Sequence, residues 1–129
     1  MATLYGPLRY MADEFMKNAG ERSKEALTFL YPPVRMYEDN GELVVEAEMA
    51  GFHKKEIKVV ANKMSIEISA SRKEEEGLNL YLDQRPSKVR KTIRLPVELD
   101  TEKPQVAKYT DGVLTIRATI KGRNPLKIE

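Results

Sequence analysis

The sequence contains no cysteine, no tryptophan and a single histidine in 129 residues. Without cysteine there are no disulfides and no thiolate metal sites. One histidine, His53, cannot build a histidine-rich metal centre, and no spacing pairs it with a serine and an aspartate as a nucleophilic triad would require. No apolar run reaches the roughly 18 residues needed to span a bilayer, so no stable membrane insertion is expected. The N-terminus lacks the basic start and continuous apolar stretch of a signal peptide, and the expected location is the cytoplasm. An excess of one charge is also missing. Twenty-two Lys and Arg stand against 20 Asp and Glu, a net of +2, which gives no broad field to attract nucleic acid. There is no P-loop, no dinucleotide fingerprint and no helix-borne histidine motif. The expectation is therefore a chain that is not an enzyme, with no catalytic residue, no cofactor and no metal.

What is present is a globular composition, 41% hydrophobic and 33% charged, of a length that suits one core. The high charge without Cys or Trp is compatible with a thermophile. The chain reads as three parts: an N-terminal arm over residues 1–32, a β-patterned domain over 33–121, and a short tail over 122–129.

The arm has helical periodicity. Leu8, Met11, Ala12, Phe15, Met16 and Ala19 recur at three- and four-residue spacing, on one face of an amphipathic helix. Gly20 ends that run. A second apolar group, Leu27, Phe29, Leu30 and Tyr31, precedes Pro32 and Pro33, which stop any helix.

Beyond Pro33 the period becomes two. Leu43, Val45, Ala47 and Met49 alternate with mostly polar neighbours, as do Met64, Ile66, Ile68 and Ala70, and Leu114, Ile116, Ala118 and Ile120. Each pattern predicts a strand with one buried face. Four weaker candidates are Val34–Tyr37, Glu56–Ala61, Val89–Leu95 and Gln105–Tyr109. Turn signals separate them at Asp39-Asn40-Gly41, Gly51, Asn62-Lys63, Pro96 and Asp111-Gly112, the last being the strongest hairpin signal. Seven short strands at this spacing predict an all-β, immunoglobulin-like β-sandwich. The interval from about Lys73 to Lys88 is too long for a simple turn. It opens with the charged run Arg72-Lys73-Glu74-Glu75-Glu76 and carries Leu78, Leu80 and Leu82 in alternation. A short strand that pairs with another subunit's sheet edge would bury them.

Several ordered blocks resemble the small heat-shock proteins and their α-crystallin domain, in the archaeal and bacterial form. Pro32-Pro33-Val34-Arg35-Met36-Tyr37-Glu38 looks like the entry into the first core strand. Glu46-Ala47-Glu48-Met49-Ala50-Gly51-Phe52, followed by Lys55-Glu56-Ile57-Lys58-Val59, resembles the family's next block. Arg94-Leu95-Pro96 matches a strand end, and Ala107-Lys108-Tyr109-Thr110-Asp111-Gly112-Val113-Leu114 matches the A-x-x-x-D/N-G-V-L signature. Leu126-Lys127-Ile128 resembles the C-terminal I/V-x-I/V anchor. Its alternate side chains point the same way and suit adjacent pockets of a groove. Lys91 stands where many relatives carry arginine.

The resemblance implies an ATP-independent holdase chaperone that binds unfolding client proteins under heat stress. It implies dimers that assemble into a homo-oligomer, commonly of about 24 subunits. It implies an anchor-receiving groove between two strands, which here would involve Ile57, Val59, Ala61 and Val106. The swap loop would present Leu78, Leu80, Tyr81, Leu82 and Arg85, landing beside Val34–Tyr37 of a partner. Client and assembly contacts would come from Leu8, Met11, Phe15, Met16, Leu27, Phe29 and Leu30, where Met adapts to targets of no fixed shape.

Blander alternatives stand beside these. The Met/Phe stripe also suits a helix packed on its own sandwich, and Lys73–Glu76 suits a solvated loop. Arg85, Lys88, Arg90, Lys91 and Arg94 lie within ten residues, which suggests a nucleic-acid-binding module. No aromatics are interleaved to stack bases, so no nucleic-acid partner is expected. A monomeric or dimeric co-chaperone or assembly adaptor on the same fold is the remaining alternative. Such adaptors lack the leucine-bearing loop and the tail anchor.

Overall fold

The structure is a computed structural model that describes residues 30–123 and residue 128. Leu8, Met11, Phe15, Met16, Leu27, Phe29 and Leu126, named above as arm and tail contacts, lie outside the described residues. The chain divides after Tyr31 into two units, and the second carries every strand described.

The described residues form seven strands: β1 (Val34–Asp39), β2 (Glu42–Glu48), β3 (Ile57–Ala61), β4 (Ser65–Ser71), β5 (Lys88–Arg94), β6 (Gln105–Thr110) and β7 (Val113–Thr119). A 3-10 turn, Lys54–Glu56, precedes β3. All pairings are antiparallel. Four strands form one sheet in the order β1-β2-β7-β6, and three form a second in the order β3-β4-β5. The expected sandwich is present, with its strand limits shifted by one or two residues.

The register explains where the core sits. Across β2 and β7, Leu43 faces Ala118, Val45 faces Ile116 and Ala47 faces Leu114. Across β4 and its neighbours, Ile68 faces Val59, Ile66 faces Ile93 and Ala70 faces Val89. Apart from half-buried Val59, these two apolar faces are buried, together with Met49, Phe52, Leu95 and Leu99. Each fully buried aliphatic side chain contributes roughly 1.5–3 kcal/mol. Among the described residues, no buried side-chain nitrogen or oxygen lacks a partner.

Strict alternation fails in β2. Val44 belongs to the opposite face of β2, yet it is fully buried. Its register neighbours are Tyr37 on one side and Arg117 on the other, long side chains that let an apolar residue sit on an otherwise polar face.

Two tight turns use backbone that ordinary residues avoid. Asn40 and Gly41 have φ of 50° and 79°, Asp111 and Gly112 of 53° and 77°. Positive φ at both central residues is the hairpin turn whose twist matches the flanking strands. Asn, Asp and Gly are the residues that tolerate it.

Candidate assembly and client-binding surfaces

The connection between β4 and β5 covers residues 72–87 and contains no strand in the single chain. Its base is closed by Arg72. The backbone N–H of Arg72 donates to the carbonyl of Ser87 at 2.9 Å. Its guanidinium donates to the carbonyl of Pro86 through Nε at 3.0 Å and Nη2 at 2.8 Å, and to that of Gly51 at 3.3 Å. The same group lies 4.6 Å from the centre of the Phe52 ring, a cation–π contact. A second local lock forms at Asp83, whose carboxylate accepts from the Arg85 backbone at 3.0 Å and side chain at 3.3 Å. The backbone bond, then the side-chain bond, holds the Asp83 carboxyl below its usual range. Between these locks the apolar residues have no cover. Leu78 is 53% exposed, Leu80 59%, Tyr81 101% and Leu82 74%.

β1 is the edge of the four-stranded sheet. Its outer face is tied to β2: Arg35 Nε donates to Glu46 at 2.7 Å and Tyr37 Oη to the same carboxylate at 3.3 Å. The Glu46 hydrogen bond raises the Arg35 pKa. On the core-facing side Val34 and Met36 stand opposite Ala47 and Val45. The apolar face of the sheet therefore runs out to an unpaired edge, where both remain partly exposed.

A cleft of about 120 Å³ opens between the edge strands β3 and β6, lined by Val59, Ala61, Gln105, Val106, Ala107 and Ile116. Val59, Ala61 and Val106 are thus brought together. Ile57, at the start of β3, is not in the wall. Gln105, Ala107 and Ile116 were not anticipated. Ile128 is 95% exposed. A broader open depression of about 540 Å³ adjoins His53, Lys54 and Lys55 on an exposed turn, with no grouping of side chains suited to a chemical task.

The signature block owes its residue types to close packing. A Cβ on Gly112 would meet Cβ of Ala50 at 3.0 Å and its Cα at 3.1 Å. The Met49 N–H donates to the Gly112 carbonyl at 2.7 Å. The Tyr109 hydroxyl sits 2.7 Å from the Met49 carbonyl and 2.9 Å from that of Phe52, and its one hydrogen serves either. Ala50-Gly51-Phe52 and Asp111-Gly112, distant in sequence, thus form one corner.

Lys91 points inward. It shares the core face of β5 with Val89 and Ile93, opposite Ile68, and its ammonium donates to the carbonyl of Pro32 at 2.9 Å. Burial pushes its pKa down. Lys91 therefore leaves the basic cluster read from the sequence, while Lys88, Arg90 and Arg94 remain exposed on the other face.

The chain matches the Hsp20/alpha crystallin family over residues 35–128. Among solved structures it is similar to a point mutant of hsp14.1 from Sulfolobus solfataricus P2, at 36% identity and a TM-score of 0.71, covering 92% of this chain and 97% of that one. A second mutant of the same protein matches at 38% identity and a TM-score of 0.72, over 88% of this chain and 98% of that one. The hspA of Xanthomonas axonopodis matches at 25% identity and a TM-score of 0.60, over 72% and 96%. No match is found among curated proteins.

Proposed function

The chain belongs to the Hsp20/alpha crystallin family, and from that premise we propose that it is an ATP-independent holdase working in the cytoplasm as a dynamic oligomer built from dimers. Small heat shock proteins are chaperones without enzymatic activity. The observation that carries the finer reading is the coexistence, in one subunit, of an over-long loop with exposed Leu78, Leu80, Tyr81 and Leu82 and a free sheet edge with exposed Val34 and Met36. Each supplies what the other lacks.

In this reading residues 78–82 of one subunit add a strand beside β1 of its partner. Backbone hydrogen bonds give affinity, and alternate leucines cover the apolar edge. Leu126 and Ile128 of a tail enter the cleft between β3 and β6 of another dimer. Two aliphatic side chains contribute roughly 1.5–3 kcal/mol each when fully buried, too little alone, but many tails in one particle act together. Warming loosens these contacts, releases dimers and uncovers the arm, residues 1–32. Met11, Phe15, Met16, Leu27, Phe29 and Leu30 then hold apolar segments of failing proteins by mass action, without a nucleotide.

Particle mass and protection of a heat-unfolded client, measured together for the full chain and for a version ending at Pro125, test this reading. The full chain is expected to form large particles and suppress client aggregation without ATP, and the shortened chain to be mainly dimeric. A monomeric full chain with no protective effect overturns the proposal. A monomer that binds one folded partner favours an adaptor instead.

A further inference from the structure

The outer faces of the two sheets differ in how far their cations are neutralised. On the four-stranded sheet Arg35 is bound to Glu46, and Arg117 sits 3.1 Å from Asp39 and 3.5 Å from Glu42, which leaves Lys108 of β6 without an ion-pair partner among the described residues. On the three-stranded sheet the outward positions hold Lys58 and Val60 of β3, Ser65, Glu67, Ser69 and Ser71 of β4, and Lys88, Arg90, Thr92 and Arg94 of β5. The four cations are exposed, and none has an ion-pair partner among the described residues. The one carboxylate, Glu67, stands opposite Thr92 and Val60 rather than any of them.

Hydroxyls take the places where carboxylates would neutralise the face. Ser71 pairs with Lys88, Ser69 with Arg90 and with Lys58 on its other side, and Ser65 with Arg94. Serine is short, so the long basic side chains overtop it, and Glu67 beside Thr92 is the one carboxylate among them. Each cation beside a hydroxyl is a pair of donors suited to a phosphate oxygen. The array extends in two dimensions. Lys88 to Arg94 covers about 20 Å along β5, and Lys58 lies about 10 Å away across two strand spacings. The face carries no aromatic side chain to stack bases and no helix or ribbon to enter a groove. A plane of negative headgroups meets all four cations at once, and exposed Val60 adds apolar contact at its border.

We propose that the outer face of the β3-β4-β5 sheet is a peripheral docking surface for an anionic phospholipid bilayer, with Lys58, Lys88, Arg90 and Arg94 at the headgroup phosphates and carboxylates. It does not rest on the holdase reading. Copies of the face on one particle reinforce each other, and added salt weakens the contact.

Cosedimentation of the full chain with phosphatidylcholine vesicles, with and without phosphatidylserine, tests this. Binding is expected only with phosphatidylserine and is expected to fall with salt. Arg90→Ser with Arg94→Ser lowers the partition about 25-fold, at about fivefold per cation. Lys58→Gln on the far strand lowers it about fivefold, whereas a linear polyanion along β5 would leave it unchanged. Lys54→Ser with Lys55→Ser removes two positive charges from the exposed turn and should change binding by no more than about twofold. Outward positions leave the core intact, and an unchanged thermal midpoint verifies that for each variant. Absence of binding overturns the proposal, as does an equal loss in the Lys54/Lys55 control. Retention of duplex DNA without vesicle binding overturns it in favour of a phosphate polymer. Loss of particle mass in the Arg90/Arg94 variant overturns it in favour of a neighbouring copy.

Discussion

Two connections in this domain perform the same topological task with very different lengths. β6 and β7 are joined through Asp111-Gly112, while β4 and β5, equally adjacent and antiparallel, are joined through residues 72–87. The short turn is packed on its inner side, with Gly112 against Ala50 and the Tyr109 hydroxyl on the carbonyls behind it. The long one is clamped at its base by Arg72 and locally at Asp83 and Arg85, and between these its leucines face outward. Length beyond what a hairpin requires, with four large apolar residues left exposed, is what the proposed reading takes as a segment buried by another subunit. In that reading the short turn carries folding and the long loop carries assembly.

The sharpest way to break this comparison is to shorten the long loop. Replacing residues 74–84 with Asn-Gly while keeping Arg72 and Pro86 should abolish dimers and larger particles completely, as read by sedimentation. The stability of the single subunit should change by about 1 kcal/mol, the scale of one halving of loop length plus local contacts. Loss of folding instead would show that the loop serves its own core. The converse change is Gly112→Val, which forces a branched side chain into positive φ and against the Ala50 backbone. It should cost about 3 kcal/mol in urea unfolding, with assembly failing only as a consequence. Tyr109→Phe removes one hydroxyl from the same corner and should cost about 1 kcal/mol, leaving particle mass unchanged at temperatures where the variant is folded.

The smallest effect concerns pH. Burial lowers the Lys91 pKa from 10.5. Between the folded value and 10.5 the unfolded chain binds the proton more tightly, so native stability rises with pH through that window. The penalty is fully present below the folded pKa and vanishes above the unfolded one. Denaturation midpoints at neutral pH and near pH 10.5 should therefore show a rise in the native chain that Lys91→Met reduces. The variant also leaves the Pro32 carbonyl without its ammonium donor. An identical pH response in both would remove Lys91 from the account.

Much of this fold was legible in the sequence because period-two hydrophobicity marks strands and Asp-Gly marks a hairpin. The gathering of Val59, Ala61 and Val106 at one cleft was legible only through the family resemblance, since no local pattern places β3 beside β6. Val44 was misplaced by strict alternation, because its cover comes from Tyr37 and Arg117 on neighbouring strands. Arg72 read only as the first residue of a charge run. Its partners, the carbonyls of Gly51 and Pro86, converge only after β4 has paired with β5. The inward direction of Lys91 follows from its alternation with Val89 and Ile93, but its partner, 59 residues earlier, does not. Local pattern supplies elements and faces, whereas contacts between distant loops require the sheets to be assembled.

The central claim is that residues 78–82 are buried by another copy of the chain. Backbone hydrogen exchange of that segment, followed in the assembled particle and again after dilution to single subunits, measures this directly. Slow exchange in the particle and rapid exchange after dissociation is the predicted result. Equally rapid exchange in both states would contradict it.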